Sequence, residues 1–84
     1  MYEIIIDEEA IDFLNTLEKQ QKERIFNKMM AARENPFHFF DRLAQRTDYK
    51  LRVGDYRIIA DIDLGKKKIE GTQIGHRKNI YKQP

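Results

Sequence analysis

The sequence predicts an α+β domain in which a small, mainly antiparallel sheet packs against a helical hairpin. Two apolar stripes with helical spacing occupy residues 10 to 32, and period-two alternation begins at Tyr49. A short β-branched run, Tyr2 to Ile6, precedes the helices and indicates an opening strand. The expected element order is therefore β-α-α-β-β-β, followed by a short C-terminal helical turn.

Length and composition favour one domain without a bound metal or cofactor. A chain of 84 residues is expected to form a single domain, residues 1–84, and to bury only about 60–65% of its unfolded surface. The chain contains no cysteine, so neither a disulfide nor a Cys/His zinc site is expected, and a cytoplasmic protein is predicted. No apolar run approaches the ~20 residues that span a bilayer.

Charge is distributed unevenly along the chain. Residues 1–35 contain 5 Lys/Arg against 8 Asp/Glu, whereas residues 36–84 contain 11 Lys/Arg against 6 Asp/Glu. The C-terminal part is therefore the candidate surface for an anionic partner, with nucleic acid considered first. The alternative at this level is a solvated surface with scattered charges.

Two helices are predicted between Asp7 and Pro36. Asp7 is a candidate N-cap, and Glu8 and Glu9 place negative charge at the positive end of the helix dipole. The second helix is expected to end at Asn35, because the residue before a proline is pushed out of helical geometry. The two apolar stripes consist of Ala10, Phe13, Leu14 and Leu17, and of Ile25, Phe26, Met29 and Ala32.

The stretch from residue 37 to residue 48 has no clear period and is expected to be a loop. It contains three phenylalanines, and packing in the hydrophobic core is the expectation for all of them. The anchors of this loop are predicted to be Phe37, Phe39, Phe40 and Leu43.

A β-hairpin is predicted from Tyr49 onward. Gly54-Asp55 has the composition of a two-residue type II′ turn, which would place Arg52 opposite Arg57. This register gives the hairpin two chemically distinct faces. The apolar face carries Leu51, Val53, Tyr56, Ile58, Ala60 and Ile62. The other face carries Lys50, Arg52, Arg57, Ile59 and Asp61.

The alternation of inward and outward side chains is interrupted in the last predicted strand. Ile69 and Ile74 cannot point to the same side of a regular strand, so a β-bulge is expected near Gly71. With Ile74 in the core, Arg77 would fall on the same face as Arg57. The bulge therefore decides whether the C-terminal segment can join the charged face of the hairpin.

The charged face of the hairpin is the strongest functional signal in the sequence. Arg52 and Arg57 are expected to lie opposite each other, and directly opposed like charges destabilise a sheet. A compensating anion is therefore expected, and a phosphate fits because arginine binds it with two parallel hydrogen bonds. Asp61, on the same face, would supply part of this compensation. A C-terminal helical turn would place Tyr81 on the same side as Arg77.

Other catalytic constellations are not evident in the sequence. The chain has no serine, no cysteine and no glycine-rich phosphate loop, so nucleophilic catalysis by Ser or Cys is not indicated. The Arg, Lys, His and Tyr side chains suit metal-independent RNA cleavage instead. In that reaction the ribose 2′-hydroxyl is the nucleophile, and the protein supplies proton transfer and positive charge.

Two segments of the chain resemble a known toxin family. LRVGDYRIIADID (51–63) followed by IGHRKNIYK (74–82) is similar to the RelE/ParE superfamily of toxins from type II toxin–antitoxin systems, and to its RelE branch in particular. The resemblance implies a RelE-like fold and a ribosome-dependent mRNA endonuclease that cleaves in the A site without a metal or other cofactor. It also implies a RelB-like antitoxin partner in a hetero-oligomeric complex.

The resemblance also assigns roles to individual residues. Arg57 matches the arginine that contacts the scissile phosphate, and Lys50 matches one of two lysines at the start of the hairpin. Arg77 matches an arginine proposed as general acid or transition-state stabiliser, and Tyr81 matches a tyrosine that orients or stacks on the substrate. The second lysine of the family pattern is replaced by Asp48 in this chain.

This replacement leaves the general base open. Lys50 would act as a base in its neutral form, and His76 is the alternative because histidine changes charge near neutral pH. Strand parity places His76 on the inward face if the strand continues that far. Arg52, His76 and Lys78 are predicted to bind RNA phosphates.

Two other functions stay open from the sequence. A ParE-like toxin that inhibits DNA gyrase by binding would share the fold, but such toxins generally lack the set formed here by Arg77 and Tyr81. A catalytically degenerate module that binds antitoxin or RNA is the second alternative, and it is kept open by Asp48.

Overall fold

The computed structural model describes residues 1–44 and 46–80, which fold into a five-stranded sheet and three helices. None of the helices in these two ranges is long and apolar enough to cross a membrane. The predicted α+β class is confirmed. In chain order the elements are β1 (Glu3–Ile6), α1 (Glu8–Leu14), α2 (Lys19–Ala31), α3 (Pro36–Phe39), β2 (Asp41–Arg42), β3 (Tyr49–Val53), β4 (Tyr56–Asp63) and β5 (Lys68–His76).

The strands lie in the order β1-β5-β4-β3-β2. β1 runs parallel to β5, whereas the other three pairs are antiparallel. A parallel pair requires a long crossover between its strands, and the helices and the β2–β4 segment of this chain supply it. The mainly antiparallel sheet predicted from the sequence is therefore confirmed, with one parallel edge.

Two short elements, α3 and β2, lie in the stretch predicted to be a loop. Pro36 is the first residue of α3, where its missing N–H costs no helical hydrogen bond. β2 pairs with the outer edge of β3 over two residues only. Neither element has the length at which apolar periodicity becomes visible in a sequence.

Helices α1 and α2 pack on one face of the sheet, and both predicted helical stripes contribute to the core there. Phe26 is the exception within these stripes, because its side chain is exposed. The buried cluster consists of Ala10, Leu14, Ile25, Met29, Ala32, Phe40, Leu51, Val53, Ile58, Ala60, Ile69 and Ile74. We call the opposite side of the sheet the outer face; it carries Lys50, Arg52, Arg57, Ile59 and Asp61.

The expectation that three phenylalanines anchor the core is only partly correct. Phe40 is buried and Phe39 packs against the core cluster. Phe37 is exposed, and its ring meets the edge of Tyr49 with a centroid separation of 5.5 Å. Residues 37 and 39 point in nearly opposite directions on a helical turn, so α3 cannot bury both.

The β3–β4 hairpin has the predicted turn and register. Gly54 has a φ of +59° and Asp55 has no positive φ, which is the sign pattern of a type II′ turn. Arg52 lies directly opposite Arg57. The predicted apolar face of the hairpin consequently packs toward the helices, whereas Ile59 lies on the outer face with Lys50.

The predicted bulge is present in β5. The register against β4 shifts after Ile59, which leaves Thr72 as the extra residue. The Thr72 hydroxyl donates a hydrogen bond to the Ile59 carbonyl at 3.3 Å. Because of this shift, Ile69 and Ile74 both enter the core, and Gly75 turns to the outer face.

Glu70 has two carboxylate neighbours, Asp7 and Asp61, at the end of the sheet away from the β3–β4 turn. Asp7 occupies the predicted N-cap position of α1, but its side chain forms no capping bond. Its carboxylate lies beside Glu70 instead, and Glu70 lies opposite Asp61 across the strands. The hydrogen bond with Asp7 is the main cause that raises the pKa of Glu70, followed by repulsion from Asp7, desolvation and repulsion from Asp61.

We expect Gly75→Ala to destabilise the fold more than Gly71→Ala. A Cβ on Gly75 would lie 3.3 Å from Ile80 Cδ1, so Ile80 has to move, whereas a Cβ on Gly71 would make an ordinary 3.6 Å contact with Met29. Overpacking of this kind should lower the free energy of unfolding by about 1 kcal/mol relative to Gly71→Ala. Urea denaturation of the two variants measures the difference, and equal stabilities would contradict the prediction.

We expect Glu70→Gln to stabilise the fold at neutral pH and to lose this advantage in acid. Because the pKa of Glu70 is raised in the folded state, folding favours the protonated carboxyl. The stability that the protonated Glu70 carboxyl contributes is complete below the pKa of Glu70 in the unfolded chain. It is lost as pH rises through the pKa of Glu70 in the folded state. Thermal unfolding at pH 7 and at about pH 3.5 should show a higher Tm for the variant only at pH 7.

The exposed Glu34→Gln is the matched control for this substitution, because it removes the same charge outside the carboxylate cluster. It should leave the Tm difference between the two pH values unchanged. An increase in Tm from Glu70→Gln that persists at the acidic pH would contradict the assignment of this increase to the raised pKa of Glu70.

Candidate functional site

Three cations lie together on the outer face, at the end of the sheet next to the β3–β4 turn. Arg52 and Arg57 are direct cross-strand partners, so their Cβ atoms are about 5 Å apart. Lys50 lies two residues from Arg52 along β3, a separation of about 7 Å. Lys50 has Asp41 of β2 on one side and Ile59 of β4 on the other. The predicted placement of the three cations on one face is confirmed.

Arg57 is nearly buried although it is charged, with 7% of its surface exposed. Its Nη1 donates hydrogen bonds to the carbonyls of Gly54 at 2.8 Å and Tyr56 at 2.9 Å. Within residues 1–44 and 46–80, no carboxylate forms an ion pair with Arg57. A buried charge without a counter-ion is costly, so this position favours the binding of an anion.

Asp61 does not compensate the charge of Arg57, contrary to the sequence-based expectation. Asp61 is exposed and lies opposite Glu70, four residues along β4 from Arg57. Four residues of strand correspond to about 13 Å, which is too far for an ion pair. The outer face is therefore polarised, with cations at the end next to the turn and carboxylates at the opposite end.

The end of β5 continues the cationic part of the outer face. Gly75 lies opposite Arg57, and Ile80 packs against Gly75 with only 8% of its surface exposed. Ile80 thereby anchors the segment after β5 next to Arg57. Tyr81, the predicted substrate-stacking residue, lies outside the residues that the structure describes, so its role stays a prediction.

Arg77 lies beside the β3–β4 turn. Its backbone N–H donates to the Asp55 carbonyl at 2.8 Å, and its Nε lies 3.6 Å from Asp55 Oδ1. The Arg77 side chain is 56% exposed, so this ion pair contributes little to stability. The backbone N–H of Arg77 and the side chain of Arg57 thus donate to neighbouring carbonyls of one turn. Lys78, the next residue along the chain, is exposed.

His76 is on the other side of the sheet from these cations. It lies opposite Tyr56, and the two rings meet edge to face with centroids 5.7 Å apart. Its Nδ1 accepts a hydrogen bond from the Lys78 backbone N–H at 3.1 Å, so this nitrogen carries no proton in that bond. His76 lines a cavity of about 260 Å³ between α1 and β5. The structure therefore does not bring it together with Lys50 and Arg57, and its predicted contact with RNA stays a prediction.

Asp48 stands where the family pattern has a second lysine. One of its carboxylate oxygens pairs with Arg46, and the other is buried without a hydrogen-bond partner in the described part of the chain. Asp48 lies four residues before Arg52, or about 13 Å along the chain. The carboxylate is therefore remote from Arg57, and the identity of a general base stays open.

The chemistry of the outer face next to the β3–β4 turn is that of hydrogen-bond donors and fixed positive charge. Guanidinium and ammonium groups bind phosphate oxygens by charge-assisted hydrogen bonds. In the ranges 1–44 and 46–80, no three His, Asp or Glu side chains converge as a metal site would require.

One cation next to the hairpin, Arg24, was not among the functional residues predicted from the sequence. Arg24 of α2 approaches the turn so closely that a Cβ on Gly54 would lie 3.1 Å from Arg24 Nη1. The available signal was a polar stripe on α2, formed by Arg24, Asn27 and Lys28 at helical spacing. Nothing in the helix sequence shows which part of the sheet this stripe approaches.

Comparison with known proteins gives matches in structure only. No protein-family model matches the chain, and no curated protein matches it significantly. The chain is similar to the archaeal RelE–RelB complex from Pyrococcus horikoshii OT3, with 22% identity, a TM-score of 0.79, and coverage of 93% of this chain and 97% of that chain.

Two bacterial complexes give similar values. For the toxin–antitoxin complex RelBE2 from Mycobacterium tuberculosis the identity is 18% and the TM-score 0.80, with coverage of 90% of this chain and 98% of that chain. For the intact E. coli RelBE toxin–antitoxin complex the identity is 22% and the TM-score 0.75, with coverage of 90% of this chain and 96% of that chain. The chain therefore has the fold of the RelE toxins.

Proposed function

We propose that the chain is the toxin of a type II toxin–antitoxin system and acts as an mRNA endonuclease. The observation that carries the proposal is Arg57, a nearly buried guanidinium directly opposite Arg52 and without a carboxylate partner in the described ranges. The fold supports it as well, because the similar solved structures are RelE–RelB and RelBE toxin–antitoxin complexes.

In the proposed reaction the ribose 2′-hydroxyl attacks the adjacent phosphorus. The bond from phosphorus to the 5′-oxygen of the next nucleotide breaks, which leaves a 2′,3′-cyclic phosphate and a new 5′-hydroxyl. One proton leaves the 2′-oxygen and one proton is delivered to the 5′-oxygen. The protein contributes these two proton transfers and stabilises the negative charge of the transition state.

Arg57 is the proposed ligand of the scissile phosphate. Its Nη1 is tied to two carbonyls, so the guanidinium is already oriented and needs little reorganisation when charge develops. Arg77 is the proposed general acid or transition-state stabiliser, since its backbone is held at the same turn. Lys50 is the proposed base, and Tyr81 is proposed to stack on the substrate.

The proposed cellular context comes from the RelE fold and from the resemblance of the hairpin and the C-terminal segment. The proposed substrate is mRNA in the ribosomal A site of translating cytoplasmic ribosomes. A RelB-like antitoxin is proposed to bind the chain in a hetero-oligomer and to block cleavage.

We expect Arg57→Gln and Arg77→Ala to abolish most mRNA cleavage. Removal of one preorganised charge at a transition state typically costs about 10²–10³-fold in rate, so each variant should fall at least a hundredfold. Primer extension on an mRNA undergoing translation, with purified ribosomes and wild-type or variant protein, locates and quantifies the cuts. Glutamine is used at position 57 because its amide can still donate to the turn carbonyls.

Lys66→Ala is the matched control for these variants. Lys66 is exposed in the turn between β4 and β5, at the acidic end of the sheet, and its loss removes one positive charge. Its cleavage should equal that of the wild type. Absence of wild-type cuts together with inhibited gyrase supercoiling would replace the proposal with a ParE-like activity, and normal growth on full induction would indicate a degenerate module.

We expect the antitoxin to raise the melting temperature of the chain markedly. The domain is small and has no disulfide, and a partner that binds only the folded state at 100 times its Kd adds about 2.7 kcal/mol. For a domain of this size such a gain corresponds to an increase in Tm of roughly 10–20 °C. Differential scanning fluorimetry of the chain alone and with the protein encoded next to it measures this, and equal melting temperatures would refute it.

A further inference from the structure

A second cationic feature lies on the other side of the β3–β4 turn from Arg57. It is a groove of about 440 Å³ between α2, the α3 segment and the turn. We call it the α2 groove. The residues that matter for its chemistry are Arg24, Asn27, Lys28, Phe39, Arg52 and Gly54.

The polar wall of the α2 groove is a stripe along one helix. Asn27 and Lys28 follow Arg24 by three and four residues, so the three side chains project from the same side of α2. Lys28 Nζ lies 5.6 Å from the centroid of the Phe39 ring, which positions the ammonium by a cation–π contact. Arg24 is positioned by Gly54, where the absence of a Cβ leaves room for its guanidinium.

The positive charge of the α2 groove has no carboxylate next to it in residues 1–44 and 46–80, because none of the lining residues in these ranges is Asp or Glu. Among the residues that the structure describes, Arg24, Lys28 and Arg52 form no ion pair, whereas Arg46 and Arg77 each pair with a carboxylate. Three cations around one concavity create a local positive potential that attracts an anion.

The α2 groove is continuous with the cationic part of the outer face. Arg52 lines the groove, and it is also the cross-strand partner of Arg57. The two cationic regions therefore meet at the β3–β4 turn, where the carboxylate of the turn, Asp55, is paired with Arg77. A polyanion that crosses the turn passes from one cationic region directly to the other.

We propose that the α2 groove binds phosphates of the single-stranded RNA substrate at a distance from the scissile bond. The strand would run from Arg57 over the β3–β4 turn to Arg24 and Lys28. A single strand fits better than a duplex, because it can follow a narrow concavity around a tight turn. This inference rests on the proposed function, since it extends the RNA path beyond the cleavage site.

The test is the length dependence of RNA binding by an Arg24→Ala/Lys28→Ala double variant of the full chain. The probes are 2′-O-methyl oligoribonucleotides of 3 and 10 nucleotides, which lack the nucleophile and cannot be cut. Fluorescence anisotropy over a range of salt concentrations gives Kd and the salt slope for each probe. The matched control is Lys19→Ala/Lys22→Ala, which removes two charges from α2 on the side away from the groove.

We expect the double variant to bind the 10-mer about tenfold more weakly than the control does. Each lost phosphate contact makes the negative slope of log K against log salt shallower by about 0.7 for single strands, so the magnitude of the slope should decrease by up to roughly 1.4. The 3-mer should bind both proteins equally, because it fills only the site at Arg57. Arg24→Gln/Lys28→Gln should behave like the alanine pair, since the charge is responsible.

Two results would overturn the inference. The first is a 10-mer affinity of the double variant equal to that of the control, and the second is an equal loss of affinity for both probes. Binding of the two probes to the Arg57→Gln variant distinguishes failure of this inference from failure of the proposed function. If this substitution weakens both probes while the α2 substitutions weaken neither, the outer face binds RNA and the groove does not. If the wild type binds neither probe, both proposals fail.

Discussion

The register of the β3–β4 hairpin determines which side chains meet in the rest of the structure. Gly54, with its positive φ, allows a two-residue turn, and that turn leaves only one pairing that buries every apolar residue of both strands. Arg52 and Arg57 oppose each other as a consequence of this register. The carbonyls of the same turn then accept hydrogen bonds from Arg57 and Arg77. The hairpin thus supplies four of the six buried core residues of the sheet and most of its cationic region.

The bulge at Thr72 connects the C-terminal segment to this region. Without the extra residue, β5 would bury either Ile69 or Ile74 but not both. With it, both isoleucines are buried, and Gly75 appears on the outer face beside Arg57. One local irregularity therefore satisfies the core and also brings the chain end to the cations, as bulges at functional positions often do.

The distribution of charge works against the stability of the free protein. Four arginines surround a single two-residue turn: Arg24, Arg52, Arg57 and Arg77. At the opposite end of the outer face, a hydrogen bond with Asp7 and then repulsion from Asp7 and Asp61 raise the pKa of Glu70. Nothing in the packing of the core requires either cluster. An anion at the arginines would relieve one of these repulsions, so the proposed function agrees with the cost that the fold carries.

Much of the local structure was predictable, because short-range patterns determine it. Helical spacing identified the buried stripes, period-two alternation gave the hairpin register, and an interruption of this alternation in the last strand located the bulge. The placement of Lys50, Arg52 and Arg57 on one face followed directly from that register. Tyr81 lies outside the described ranges, so its predicted role stays a prediction.

The sequence by itself determined the element types, the hairpin and the two faces of the sheet, since each depends on residues only a few positions apart. The tertiary structure alone decided the contacts between distant segments. Examples are the parallel pairing of β1 with β5, the interaction of Asp7 with Glu70 in place of a helix cap, and the approach of Arg24 to Gly54. Such contacts depend on how helices and sheet pack together, and no periodicity within one segment carries that information.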